Sequence, residues 1–257
     1  MYVVELNFEC FEDTTINAVE TAIRAYFDAL RNNGQILGRE FNTAMQEGVF
    51  VTRVVCPEQD SLHVDNNSAI VNHTINGLNT AGVLAPKIKV IGVELQSDHT
   101  DPCTPPEFMI LYTTFVHTCS PLRCGEHFSP VPLYRIPPIA NGDHKRLLKW
   151  QEDWEACDQI QMNGANKVEF AALNELSNLN TDLFRKGQDL CKRIKCLTGI
   201  PVYYYLYRVG GESKESEHHR LCPSCNSEWK LPEPLHGIFD FKCDNCKLLS
   251  NISWDFQ

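Results

Sequence analysis

Four cysteines near the C-terminus constrain the fold more than any other feature of this 257-residue chain. They read Cys222-Pro223-Ser224-Cys225 and Cys243-Asp244-Asn245-Cys246. Each Cys-x-x-Cys turn bends so that two thiolates face one point, and two such pairs at this separation have the spacing of a zinc ribbon. The residues between them suffice for a strand, a turn and a returning strand. Four sulfurs in a tetrahedron suit Zn²⁺ and leave no open coordination position, so such a site holds structure and does not activate water. Residues 220–257 are too few to build a large core of their own. A structural zinc ion supplies roughly 10–16 kcal/mol of apparent binding free energy to such a segment. Ile238, Phe239 and Phe241 before the second pair, and Leu248, Leu249, Ile252 and Trp254 after it, suit a small sheet packed on the rest of the chain. Asn226 follows the first pair, where a left-handed residue is useful and asparagine tolerates it. Lys247 holds the matching place in the second pair and suits it less well.

Upstream, the pattern alternates between strands and helices. A strand over 2–8 precedes a helix over 17–33. There Val19, Ala22, Ile23, Tyr26, Phe27 and Leu30 fall on one face, Asn17 with Glu20 reads as the cap, and Gly34 as the stop. A short strand near 36–41, a clearer one over 49–56, a helix over 67–81 ended by Gly82, and strands over 87–95 and 108–117 come next. The order β-α-β-β-α-β permits a ferredoxin-like sandwich. Residues 118–143 are rich in proline and glycine, with one strand expected around 131–135. Two helices succeed them, over 144–162 and 167–198, the second interrupted in its seam by Asn180 and Gly187. A strand over 201–208 and a charged linker over 209–219 lead to the ribbon. The fold class expected is therefore α+β. It comprises an N-terminal sandwich domain over 1–140, a helical segment with one strand over 141–210, and the zinc ribbon over 218–257.

Composition excludes several classes. The start of the chain lacks the basic residues and apolar run of a signal peptide, and no stretch approaches the roughly 18 apolar residues that span a membrane. A cytosolic location is expected, with its twelve cysteines reduced. The net charge of −10 opposes non-specific attraction to nucleic acid. The ribbon itself carries one acid in excess of its bases.

Two further constellations could carry chemistry. Cys119, Cys124 and His127 could bind a second metal, with Cys103, His117, His144 or Cys157 as a fourth ligand, or could supply a thiolate nucleophile paired with His117 or His127. The alternative is a turn-rich loop with incidental small residues. The basic set Arg185, Lys186, Lys192, Arg193 and Lys195, with Asp189 among them, is the best phosphate-binding surface in the chain. It serves equally as the solvated face of a helix, completing the dipole at its C-terminal end.

The segments Ser120-Pro121-Leu122-Arg123-Cys124-Gly125, Pro130-Val131-Pro132-Leu133-Tyr134, Trp154-Glu155-Ala156-Cys157-Asp158, Gly199-Ile200-Pro201-Val202-Tyr203-Tyr204-Tyr205 and Pro234-Leu235-His236-Gly237-Ile238-Phe239-Asp240-Phe241 carry a resemblance. Together with the cysteines, they are similar to an uncharacterised bacterial family of Zn-ribbon-containing proteins with a conjectured nucleic-acid-binding role. The resemblance implies Zn²⁺ at Cys222, Cys225, Cys243 and Cys246. The function expected is that of a cytosolic zinc-binding protein that binds nucleic acid or a protein partner. The alternative is an enzyme with a Cys/His site in residues 117–127.

Overall fold

The computed structural model describes residues 1–102, 105–164 and 167–256. It divides into two units. One comprises Met1–Asp101, His117–Ser120 and Ser129–Leu148; the other comprises Pro102–Val116, Pro121–Phe128 and Lys149–Gln257.

The first unit is built from β1 (Tyr2–Phe8), α1 (Ile16–Asn33), β2 (Thr43–Gln46), β3 (Val49–Cys56), α2 (Ala69–Thr80) and β4 (Lys87–Val93). Its antiparallel sheet has the order β2-β3-β1-β4. Alternation in β1 sends Val4, Leu6 and Phe8 inward, all essentially inaccessible, and their partners Val54 and Thr52 on β3 share that face. The helices lay Val19, Ile23, Tyr26, Phe27, Leu30, Val71 and Leu78 on it. Phe8 meets Phe27 edge-on at 5.7 Å. The cap of α1 is Thr15, whose hydroxyl accepts from Ala18 N–H; the expected Asn17 already lies within the first turn. Gly34 ends the helix at φ 81°, and a Cβ there would lie 2.5 Å from Leu133 Cβ, so both backbone and packing require glycine. The strand expected over 36–41 reduces to one bridge, Leu37 to Val55, and the regular pairing forms later, at β2. The 131–135 segment is a 3₁₀ turn, Leu133–Arg135, because Pro130 and Pro132 deny it ladder donors.

The second unit begins with β5 (Met109–Leu111) and β6 (Leu122–Cys124). It continues through α3 (Lys145–Asn163), whose first residues belong to the other unit, then α4 (Glu169–Ser177), α5 (Asp182–Thr198), β7 (Val202–Leu206) and α6 (Lys214–His218). It ends with β8 (Lys230–Leu235), β9 (Phe239–Cys243) and β10 (Leu248–Ser250). The six strands form one sheet in the order β6-β5-β7-β10-β9-β8. The centre is parallel, with β7 between β5 and β10. A central parallel strand is covered on both faces, and all five residues of β7 are buried. Tyr204 faces α3 and α5, whose Trp150 and Phe184 meet its ring edge-on, while Tyr205 meets Tyr112 and Phe239. Gly187 lies inside α5 without breaking it. A Cβ there would come within 2.2 Å of Tyr204, so this glycine sets how closely the helix approaches the strand. The long helix expected over 167–198 is two, because Thr181 caps α5 by accepting from Phe184 N–H. β8 contains Pro232 and Pro234 and lies at a sheet edge, where missing donors cost nothing.

His144, in the first unit, is 1% exposed, and neither ring nitrogen is hydrogen-bonded among the described residues. Burial holds its pKa down at about 4. The folded chain therefore resists protonation that the unfolded chain accepts below its ordinary value near 6.5. Stability present at neutral pH is lost as pH falls from about 6.5 towards about 4, by about 3 kcal/mol in all. Urea titrations at pH 7 and pH 4.5 should show most of this loss in the wild type, and His144→Phe should flatten the contribution.

Candidate metal centre

The tetrad is positioned by two knuckles and the sheet. In the first knuckle Asn226 N–H donates to Cys222 C=O at 2.8 Å and Cys222 N–H to Ser227 C=O at 2.9 Å. In the second, Cys243 ends β9 and pairs with Leu248 of β10, so the chain returns within four residues. Asn226 and Lys247 occupy equivalent left-handed positions, at φ 55° and 54°. The tight return is thus imposed on Lys247 by the pairing on either side, against its own preference.

The four thiol sulfurs lie within 4.8 Å of one another, and those of Cys225 and Cys243 are 3.6 Å apart. Four sulfurs at this separation can hold one metal ion. Cys222 and Cys243 are buried, Cys246 is half-buried and Cys225 is exposed. The Ser227 hydroxyl and amide hold the Cys225 thiol low, at about 6, whereas burial pushes Cys222 up to about 12 and raises Cys246. Amides of Cys225 and Ser224 point at the Cys222 sulfur and oppose that rise. Exposed Cys225 is the sulfur most readily ionised, and a cation in the cage would compensate the rest.

A charged knot lies behind the first knuckle. Glu217 of α6 is 2% exposed and holds Arg208 through both carboxylate oxygens, with Arg220 3.5 Å away. Burial pushes the Glu217 carboxyl up, but the Arg208 hydrogen bonds and the two guanidinium charges outweigh it and leave it lowered. Arg220 lies over the rings of Phe241 and Trp229, at 4.4 and 4.9 Å, and donates to Ser250 Oγ and Asn251 C=O. Trp229 Nε1–H donates to Arg220 C=O at 2.9 Å. From the sequence, Arg220 enters only the charge balance of the ribbon, and 209–219 reads as a linker. The one available sign was Ser213 three residues before Ser216, which forms a capping box.

Of the second constellation, Cys124 and His127 come together, with Cys124 Sγ 3.7 Å from His127 Nδ1. Cys124 is inaccessible, and its thiol donates to Glu126 Oε2 at 2.8 Å. Cys119, His117 and His144 belong to the other unit, Cys157 is half-buried on α3, and Cys103 lies outside the described residues. The basic residues Arg185, Lys186, Lys192, Arg193 and Lys195 all project from α5 into solvent. Arg185 pairs with Asp182, Lys186 with Asp153 and Lys192 with Asp189, the last two at 3.8 Å, and Arg193 is also engaged. Trp254 is 44% exposed, unlike Trp229.

A mixed α+β chain carrying a thiol tetrad capable of holding metal is thus defined. One relative matches it along its whole length and a second over about two thirds of it. An uncharacterized protein of Haemophilus influenzae is 43% identical over 263 aligned positions covering 100% of both chains. A second from the same organism is 47% identical over 177 positions, covering 68% of this chain and 86% of its own. The chain belongs to the family these proteins form. Three domains of unknown function match in succession: DUF8589 over residues 1–92, DUF2310 over 103–207 and DUF8594 over 211–256. Among solved structures, a Deinococcus radiodurans protein assigned as an antibiotic biosynthesis monooxygenase aligns with 38% of this chain and 99% of its own, at 12% identity and a TM-score of 0.27.

Removing Glu217 leaves two guanidinium groups facing each other in a buried setting. Glu217→Ala should cost about 3–5 kcal/mol, the loss expected when one partner of a buried ion pair is deleted. Chemical denaturation monitored by tryptophan fluorescence reads this.

Proposed function

We propose that Cys222, Cys225, Cys243 and Cys246 bind one Zn²⁺ in a closed, structural site. The protein would be a cytosolic binding module whose C-terminal sheet that ion holds in register. The continuity of the sheet carries this reading, since β10 pairs with β9 of the cysteine segment and with β7 of the body. A tetrahedral Zn–thiolate site with bonds of about 2.3 Å places its sulfurs about 3.8 Å apart, and the 3.6 Å between Cys225 and Cys243 fits it. With all four ligands supplied by protein, the ion activates no water. The first unit's strand order is that of a ferredoxin-like sandwich, a scaffold for binding as much as for catalysis. No helix of the described residues is long and apolar enough to cross a membrane.

The partner we favour is a protein. Exposed Leu221 and Trp254 flank the ribbon, whereas the α5 bases largely face acids and the chain as a whole is strongly acidic. The nucleic-acid reading rests on Arg185, Lys186, Lys192, Arg193 and Lys195 and requires affinity that falls steeply with salt. The enzymatic reading rests on Cys124 and His127 and requires an accessible thiolate, which a buried thiol donating to Glu126 disfavours.

Metal analysis of freshly purified protein should return one zinc per chain. Cys243→Ser should lose it and lower the unfolding free energy by several kcal/mol. Acidification should release the ion, because protons compete for the thiolates. Metal-free protein of unchanged stability would overturn the assignment. Oligonucleotide binding at low salt that disappears on charge reversal at Arg185 and Lys192 would instead favour the nucleic-acid reading.

A further inference from the structure

The first unit contains a cleft that the metal centre does not explain. It has a volume of about 620 Å³, within the range of small-molecule sites. One wall is a single stripe of α1: Ile16, Glu20, Ile23, Arg24, Phe27 and Asp28. Opposite it stand Thr43, Met45 and Phe50 of the β2–β3 hairpin, on the helix-facing side of the sheet, since Phe50 pairs with Phe8 and Met45 with Phe50. The connector Arg39–Asn42 closes one end. The sheet is wider than its helices cover, and the gap lies at the β2 edge.

The lining is unusual for a surface groove. Phe27 and Phe41 stack at 5.4 Å with their planes tilted by 34°, and Phe50 lies half-buried. Ile16 and Met45 stand open to solvent at 65% and 60% exposure, in positions where an occupant would cover them. Methionine there is a soft, adaptable wall. The polar groups are asymmetric in charge. Arg24 is neutralised by Glu20 one turn earlier, and Arg39 is likewise engaged. Among the described residues no ion pair or hydrogen bond engages Asp28 or Glu40. Aromatic faces with uncommitted carboxylates attract organic cations, the rings through their quadrupole and the acids through charge.

We propose that this cleft binds a small amphipathic amine: a flat apolar body laid against the half-buried Phe41 and Phe50, with the buried Phe27 behind them, and its ammonium group at Asp28 and Glu40. The site is independent of the tetrad, and its test does not depend on the metal.

The experiment uses the whole chain as purified and three probes of one shape: naphthylethylamine, naphthylethanol and naphthylpropionate. Backbone amide resonances are followed during titration. The amine should bind saturably and shift resonances of α1 and of the β2–β3 hairpin, with the alcohol weaker and the propionate weakest. The double variant Asp28→Asn, Glu40→Gln should weaken the amine about tenfold, the size of effect a charge contact of this kind supplies, and leave the alcohol unchanged. Both residues are exposed, so the thermal midpoint should hold; should it fall, the single variants replace the double. Failure of all three probes to saturate, shifts confined to other parts of the chain, equal binding of amine and propionate, or an unaffected variant would each overturn the proposal.

Discussion

The hydrogen bonds between β10 and β7 are the interaction on which the second unit depends. β10 is three residues long and bonded on both sides, parallel to β7 and antiparallel to β9. So short a strand supplies little free energy alone. Its neighbours set its position: Cys243 at the end of β9 and Cys246 in the turn before β10 must converge on the other two sulfurs. Ladder and thiolate cage thus share one stretch of backbone. Loss of the cage would unfasten β10, and β7 would lose one of its two parallel partners.

The same stretch explains why the charged residues around it are buried. Arg220 reaches β10 and the residue beyond it while lying across Phe241 of β9 and Trp229. Its compensating acid, Glu217, comes from α6, a helix of only five residues. Asn251 fixes the other end of this arrangement by donating to Arg208 C=O and accepting from Arg208 N–H. Segments that contain no strand are thereby tied to the sheet through side chains. Buried ion pairs of this kind specify a single arrangement more than they add net stability, and here Arg220 Nε has only the 3.5 Å charge contact with Glu217 and no hydrogen bond among the described residues.

The legible parts of the sequence were those with a local cause. Helix α1 is marked by six apolar residues on one face and by Gly34, and the β7 run by its aromatic and β-branched content. The four cysteines are marked by spacing, and the structure brings all four sulfurs together. The obscured parts depend on distant partners. β6 is three residues in a proline-rich stretch and exists because β5 pairs with it. The split between α4 and α5 falls at Asn180, one of the two interruptions visible in the leucine seam, and turns on the Thr181 hydroxyl, whereas at Gly187, the other interruption, the helix runs on. Glu217 and Arg220 read as linker and as part of a charge balance because their burial comes from Trp229, Phe241 and Asn251, which lie well away in sequence. The cleft at the β2 edge has no sequence mark at all, since its walls are an ordinary helical stripe and one face of a hairpin.

Parallel pairing at the centre of the second sheet imposes an order on synthesis. β7 leaves the ribosome with β5 already available, yet its other flank stays open until the whole ribbon has been translated. During that interval a row of tyrosines sits on a strand with one open edge, the condition that invites association with other nascent chains. That flank closes only when β10 pairs with it, in the same stretch of chain that brings Cys243 and Cys246 to the other two sulfurs.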